Sequence, residues 1–124
     1  MPVLNDQHIA NTLQAYVDAI TGDDVEKVLE LFAHNAVVED PIGTDPHVGT
    51  QALRVFYQMA VDNVELMTLE GHVRVRDQWG AVGMTAKPKG MKMVMETLDV
   101  MEFNQDGLII NMKAYWGDSN FVES

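Results

Sequence analysis

Three residues stand out by type and setting: Asp99, Asp40 and Tyr16. Residues 91–103, M-K-M-V-M-E-T-L-D-V-M-E-F, read as a long β-strand, in which side chains alternate between faces. One face carries Met91, Met93, Met95, Thr97, Asp99 and Met101, and the other carries Lys92, Val94, Glu96, Leu98, Val100 and Glu102. Asp99 is the one carboxyl on a face that is otherwise apolar except for Thr97. An ionised carboxylate there would be desolvated at high cost; the cheaper outcome is a raised pKa and a neutral acid. A neutral carboxylic acid can donate a hydrogen bond, which few side chains do well. The plainer alternative is that Asp99 sits near the strand end and reaches water or caps a neighbour. Asp40 ends the short run A-V-V-E-D just before Pro41. Strand ends often carry catalytic groups, and Asp-Pro is also a frequent turn starter. Tyr16 shares a helix face with Ile9, Leu13, Val17 and Ile20, so its hydroxyl is on the buried side and needs a partner. Tyrosines so placed serve packing more often than catalysis.

The elements that must position these groups follow from the same periodicities. Residues 5–21 form a helix that Asn5 or Asp6 can cap, and Gly22 ends it. A second helix begins at Asp23, with Glu26 completing a capping-box pattern, carries an apolar stripe of Val25, Val28, Leu29 and Phe32, and ends near Ala33. Residues 36–40 are a short strand stopped by Pro41. Thr50 can cap a third helix over 50–62, with Leu53, Phe56, Tyr57 and Ala60 facing inward. Antiparallel sheet follows: one or two strands in 64–76, another over 79–87, a turn at K-P-K-G, then the methionine strand. A hairpin at N-Q-D-G leads to a last strand over 108–116, in which Leu108, Ile110, Met112, Ala114 and Trp116 share a face. Helices first and strands after is the α+β pattern. The helices should cover one face of a curved sheet and enclose an apolar cone. The outer sheet face, with Val94, Leu98 and Val100 among charges, is too apolar to be left wet, which predicts a homodimer through it.

The whole chain sets the outer bounds. Its 124 residues suit one compact domain, residues 1–124, and 47% apolar content supports a core. A net charge of −11, from 19 acids against 8 bases, argues against nucleic-acid or anionic-membrane partners. The absence of cysteine excludes disulfides and thiolate metal sites. No apolar run approaches spanning length and no basic-then-apolar leader opens the chain, so a cytoplasmic protein is the expectation. His8, His34, His47 and His72 show no ligand spacing and read as surface or structural; no metal is expected.

In order and context, these segments resemble the Δ5-3-ketosteroid isomerases of the NTF2-like, SnoaL-like superfamily. The matching stretches are A-Y-V-D-A-I around Tyr16, V-V-E-D-P-I-G around Asp40, V-F-Y around Tyr57, L-D-V-M-E-F around Asp99 and A-Y-W ending at Trp116. Each is short; together, in order and at close spacing, they cover nearly the whole chain. The resemblance implies a cofactor-independent isomerase acting on a small-molecule steroid. Asp40 would be the general base, and Tyr16 and Asp99 the oxyanion-hole donors, with Asp99 kept protonated, which is the family's known device. Tyr57 would support Tyr16, and Trp116 would steady the base. Met84, Met95, Thr97, Ala114 and Phe56 would line the steroid slot. One branch of the family has a tyrosine where this chain has Phe32, which shortens the hydrogen-bond chain behind Tyr16. The base must stay ionised and mobile beside its turn, while the acid stays neutral among methionines. The same fold hosts other functions. A related cyclase or epoxide hydrolase, a non-catalytic carrier of hydrophobic ligands and a dimerisation module are the competing readings. The polar trio favours the isomerase, because a carrier needs no base.

Overall fold

The computed structural model describes residues 4–124; residues 1–3 of the expected domain lie outside them. Helix α1 spans Asp6–Thr21, α2 Val25–Glu30 and α3 Gly49–Asn63. The strands are β1 Phe32–Glu39, β2 His47–Val48, β3 Val64–Arg76, β4 Trp79–Pro88, β5 Met93–Phe103, β6 Ile109–Tyr115 and β7 Phe121–Glu123. They form one sheet in the order β2-β1-β6-β5-β4-β3, with β7 added beside β5. Every pairing is antiparallel except β1 with β6, which is parallel. This is the expected α+β cone of three helices on a curved, mainly antiparallel sheet.

The core lies between the helices and the inner sheet face. Ile9, Leu13, Tyr16 and Ile20 of α1 and Leu53 and Tyr57 of α3 meet Val38, Val82, Met84, Met101, Phe103 and Met112. Burial of such large side chains contributes roughly 1.5–3 kcal/mol each before entropy is charged. One backbone detail lets α1 approach closely: Gly80 on β4 has no Cβ, and one built there would stand 2.5 Å from Ile9 Cγ2. Arg54 and Glu26 form a two-toothed ion pair that ties α3 to α2.

Several local expectations are corrected. Asn5 does cap α1, its side chain accepting from the His8 amide at 2.8 Å. The cap of α2 is Asp24, which accepts from the Lys27 amide, while Asp23 turns the chain at φ 61°. A left-handed residue cannot open a helix, so the capping box shifts by one. The second helix ends at Glu30, and Phe32 and Ala33 belong to β1; pairing of Phe32 with Ile109 on β6 outcompetes another helical turn. Thr50 is no cap: Val48 precedes α3 without a side-chain cap bond, and the Thr50 hydroxyl donates to the His34 carbonyl at 3.4 Å. Met91 lies outside β5 and is exposed. On β6 the inward residues are Ile109, Met112 and Ala114. A register shift between Glu102 and Phe103 leaves Ile110 without a partner, and one extra residue inverts the alternation on its far side.

Candidate active site

Asp99 sits in the middle of the sheet, facing Val82 on β4 and Ala114 on β6 across the ladders. It is 2% exposed, and its cross-strand neighbours are equally buried aliphatic groups. Desolvation therefore dominates and lifts its pKa to about 7, and the negative charge of Asp40 adds to the rise. The Thr97 hydroxyl, two residues back on the same face, donates to Asp99 Oδ1 at 2.8 Å and pulls the other way without winning. Among the described residues no buried side-chain nitrogen or oxygen lacks a hydrogen-bond partner. The second Asp99 oxygen has no hydrogen-bond partner among the described residues, so it is not fully enclosed and can meet a ligand.

Tyr16 and Tyr57 come from α1 and α3 and meet hydroxyl to hydroxyl at 3.0 Å. Their rings pack edge to face at 5.7 Å, and Phe32 stacks against Tyr57 at 5.4 Å. Phe32 fills the space beside the pair but offers no hydroxyl to extend it. Burial is the main reason that both phenols are held well above their usual pKa, with nearby acidic groups adding to the effect. Both stay protonated throughout the working pH range, so the pair can pass a hydrogen bond toward whatever Tyr16 faces.

Asp40 stands one residue beyond β1 and is half-buried. Burial raises its pKa. The indole Nε1–H of Trp116, just past β6, donates to Asp40 Oδ1 at 2.7 Å and works against that rise, as does the nearby His47. The parallel pairing of β1 with β6 makes this possible: Val38 lies against Met112 and Glu39 against Lys113, so both strands run out toward the same end. Phe121 of β7 packs edge-on against the Trp116 ring at 5.8 Å. The turn after Asp40 is tied down. The Ile42 amide donates to the Ala114 carbonyl, the Gly43 amide to Glu39 Oε2, and the Thr44 amide and hydroxyl to the Pro41 carbonyl. The mobility expected of this residue must therefore lie in its side-chain torsions, since its backbone is anchored.

The residues expected to line a slot take these places. Met84 lies opposite Thr97, Ala86 opposite Met95, and Ala114 opposite Asp99. Met84, Thr97 and Ala114 are buried, while Met95 and Phe56 are half-buried. The site also draws in two residues to which sequence reasoning assigned no role there. Phe121 belongs to a three-residue strand too short to carry a pattern. His47 sits on the two-residue strand β2, stacked on Phe56; only its pairing with β1, invisible to periodicity, brings it near. Among the described residues no three His, Cys, Asp or Glu side chains group so as to hold a metal ion. None of the described helices is long and apolar enough to cross a membrane.

The arrangement thus offers one carboxyl at a strand end that accepts an indole N–H, one buried carboxyl whose pKa is lifted to about 7, and one phenol backed by a second. Such a set can accept a proton at one point and donate hydrogen bonds to developing negative charge at another. Comparison with known proteins gives relatives of two kinds. The chain is 28% identical over 113 residues to a steroid Δ-isomerase of Nocardioides simplex, spanning 86% of this chain and 88% of that one. It is 29% identical over 109 residues to the epoxide hydrolase LasB of Streptomyces lasalocidi, covering 82% of this chain but only 39% of that longer protein. Among solved structures it is similar to the epoxide hydrolase/cyclase-like enzyme SalBIII, with a TM-score of 0.86 at 26% identity over 97% of this chain and 98% of that one. The sequence profile of the SnoaL-like domain matches residues 13–112, most of the chain and all three polar groups, and the protein accordingly belongs to the SnoaL-like family.

Proposed function

We propose that the protein is a cofactor-independent isomerase that converts 3-oxo-Δ5-steroids to 3-oxo-Δ4-steroids. The observation that carries this reading is the opposed treatment of two carboxyls. Asp40 receives an indole N–H that favours its anion, while Asp99 is buried among aliphatic groups. In the proposed reaction Asp40 takes a proton from C4. The electron pair of that C–H bond moves into a dienolate, and negative charge appears on the C3 oxygen. Tyr16 and the neutral Asp99 donate hydrogen bonds to that oxygen. Asp40 then returns the same proton to C6, and the double bond ends between C4 and C5. Thr97 and Tyr57 orient the two donors. Met84, Met95, Ala114 and Phe56 supply the apolar walls that a flat hydrocarbon skeleton needs. The homodimer belongs to the same proposal: Leu98 on β5, Tyr115 on β6 and Leu66 on β3 are each more than two-fifths exposed.

The test is direct. A Δ5-3-ketosteroid mixed with the protein should develop the strong ultraviolet band of the conjugated Δ4-3-ketone, and sedimentation should give the mass of two chains. No change in absorbance above the buffer rate removes the isomerase reading. A second reading rests on the likeness to SalBIII and on the neutral state of Asp99. A carboxylic acid can protonate an epoxide oxygen while Asp40 deprotonates an attacking hydroxyl or water. Turnover of an epoxide, followed by mass spectrometry, with no steroid isomerisation would decide for that reading.

A further inference from the structure

His47 has no assigned role, yet its placement is specific. It pairs with Val38 across the β2–β1 ladder. Residues directly opposite in an antiparallel pair point to the same face, and Val38 is fully buried. His47 therefore shares the inner face, and Asp40, two residues beyond Val38, continues that face at the end of β1. The imidazole stacks on the Phe56 ring, with centroids 4.5 Å apart and planes tilted by 31°. Phe56 in turn packs edge-on to Tyr57 at 4.9 Å. An aromatic face under an imidazole fixes the ring.

We propose that His47 is a positioning residue for Asp40: clamped on Phe56 at the inner edge of β2, it sets an imidazole on the same inner face as the carboxyl, diagonally across the β2–β1 ladder, and makes the charge of the base depend on its own. The groups around this pair are few. Trp116 after β6 donates to Asp40, and Tyr16 from α1, Tyr57 from α3 and Asp99 from β5 are near enough to feel its charge. On its own segment Glu39 is held by the Gly43 amide. On the segment that carries His47, Asp45 is exposed in the preceding turn, and Arg54 on α3 is engaged by Glu26. The phenols remain neutral, and His47 is a cation-forming group whose charge acts on the base. Its positive form holds Asp40 ionised at lower pH, in agreement with the direction of its effect on that carboxyl. Such a partner extends the range over which the base stays ionised on its acid side.

This inference rests on the assignment of Asp40 as base, but its test does not need a substrate. NMR titration of the Asp40 carboxyl carbon and the His47 ring is carried out on wild type, His47→Gln, His47→Phe and Asp40→Asn. His47→Phe keeps a ring on Phe56 and removes only the charge. In His47→Gln and His47→Phe the Asp40 titration should move up by roughly half a pH unit or more. In Asp40→Asn the His47 titration should fall by a similar amount, because coupling between two sites is reciprocal. The acid limb of kcat/KM should follow the Asp40 shift. An unmoved Asp40 titration in folded His47→Phe overturns the proposal, as does an unmoved His47 titration in Asp40→Asn should neither His47 variant fold. If the reciprocal shifts appear without any isomerisation, the steroid reading fails and the pairing stands.

Discussion

The two carboxyls of this site sit at the same level of the sheet but in different settings. Asp99 lies in the body of the sheet, flanked on both sides by strands and by aliphatic neighbours. Asp40 lies at the rim, past the end of its strand, with an indole N–H on one oxygen. The side-chain chemistry is the same in both. Strand position decides the difference: mid-strand removes water and leaves only what adjacent residues supply, whereas a strand end admits donors from neighbouring segments. In the proposed isomerase, acid and base roles are thus allotted by topology before any substrate arrives.

The sharpest way to break this contrast is at the rim. Asp40→Asn should leave steroid binding nearly intact and lower kcat by about 10²–10⁴-fold; wild-type kcat in this variant would make Asp40 an ordinary turn residue. Next comes the deep end. Tyr16→Phe keeps the packing of the aromatic cluster and removes one donor, with an expected loss of about 10²–10³-fold in kcat and little change in KM. A raised KM at constant kcat would mean that Tyr16 recognises only the ground state.

Asp99 tests the contrast through pH as well as rate. Asp99→Asn keeps a neutral donor of weaker acidity and should cost roughly 10–100-fold, with Asp99→Leu worse. Wild type should lose activity on the alkaline side as Asp99 ionises near its pKa of about 7, and Asp99→Asn should lack that limb. The stability consequence has a definite sign. Between the unfolded value of 3.8 and about 7 the folded chain holds a proton that the unfolded chain has released. Wild type is therefore favoured most below pH 3.8 by this group, loses stability as pH rises to about 7, and levels off above it. The full penalty is on the order of 4 kcal/mol. Urea unfolding of Asp99→Asn should show a flatter profile over that window. A wild type that gained on the variant with rising pH would be an ionised, paired carboxylate. The mildest change is Trp116→Phe, which removes the indole donor and keeps an aromatic ring near Phe121. The acid limb of kcat/KM should move up, with a loss of up to about 10-fold at neutral pH.

How far the molecule was legible beforehand follows the same divide. Asp99 could be read because one strand holds its whole context: a carboxyl at period two among methionines. Tyr16 and Tyr57 could be placed on inward helix faces, although only the folded chain brings their hydroxyls together. The surroundings of Asp40 were less accessible. Trp116 lies 76 residues away along the chain, and the parallel register of β1 with β6 that joins them leaves no local trace. Resemblance supplied that link. Nothing supplied β2 or β7, whose two and three residues are below any useful window. The bulge at Ile110 was hidden for a related reason, since an unbroken run of apolar residues fits either register.

The notch at Gly80 can be considered as a datum in the engineer's sense, the surface from which other dimensions are measured. Ile9 rests in it, and Tyr16 follows seven residues later on the same face of α1, roughly 10 Å along the axis. A helix is stiff over two turns, so the seat of Ile9 sets the height of the Tyr16 hydroxyl above the sheet. Catalytic geometry tolerates little error: about 1 Å of misplacement can cost on the order of 100-fold. A methyl group at position 80 would lift the helix at its far end, and kcat at constant KM would register the tilt. The placement of the Tyr16 hydroxyl is thus held by a residue that has no side chain.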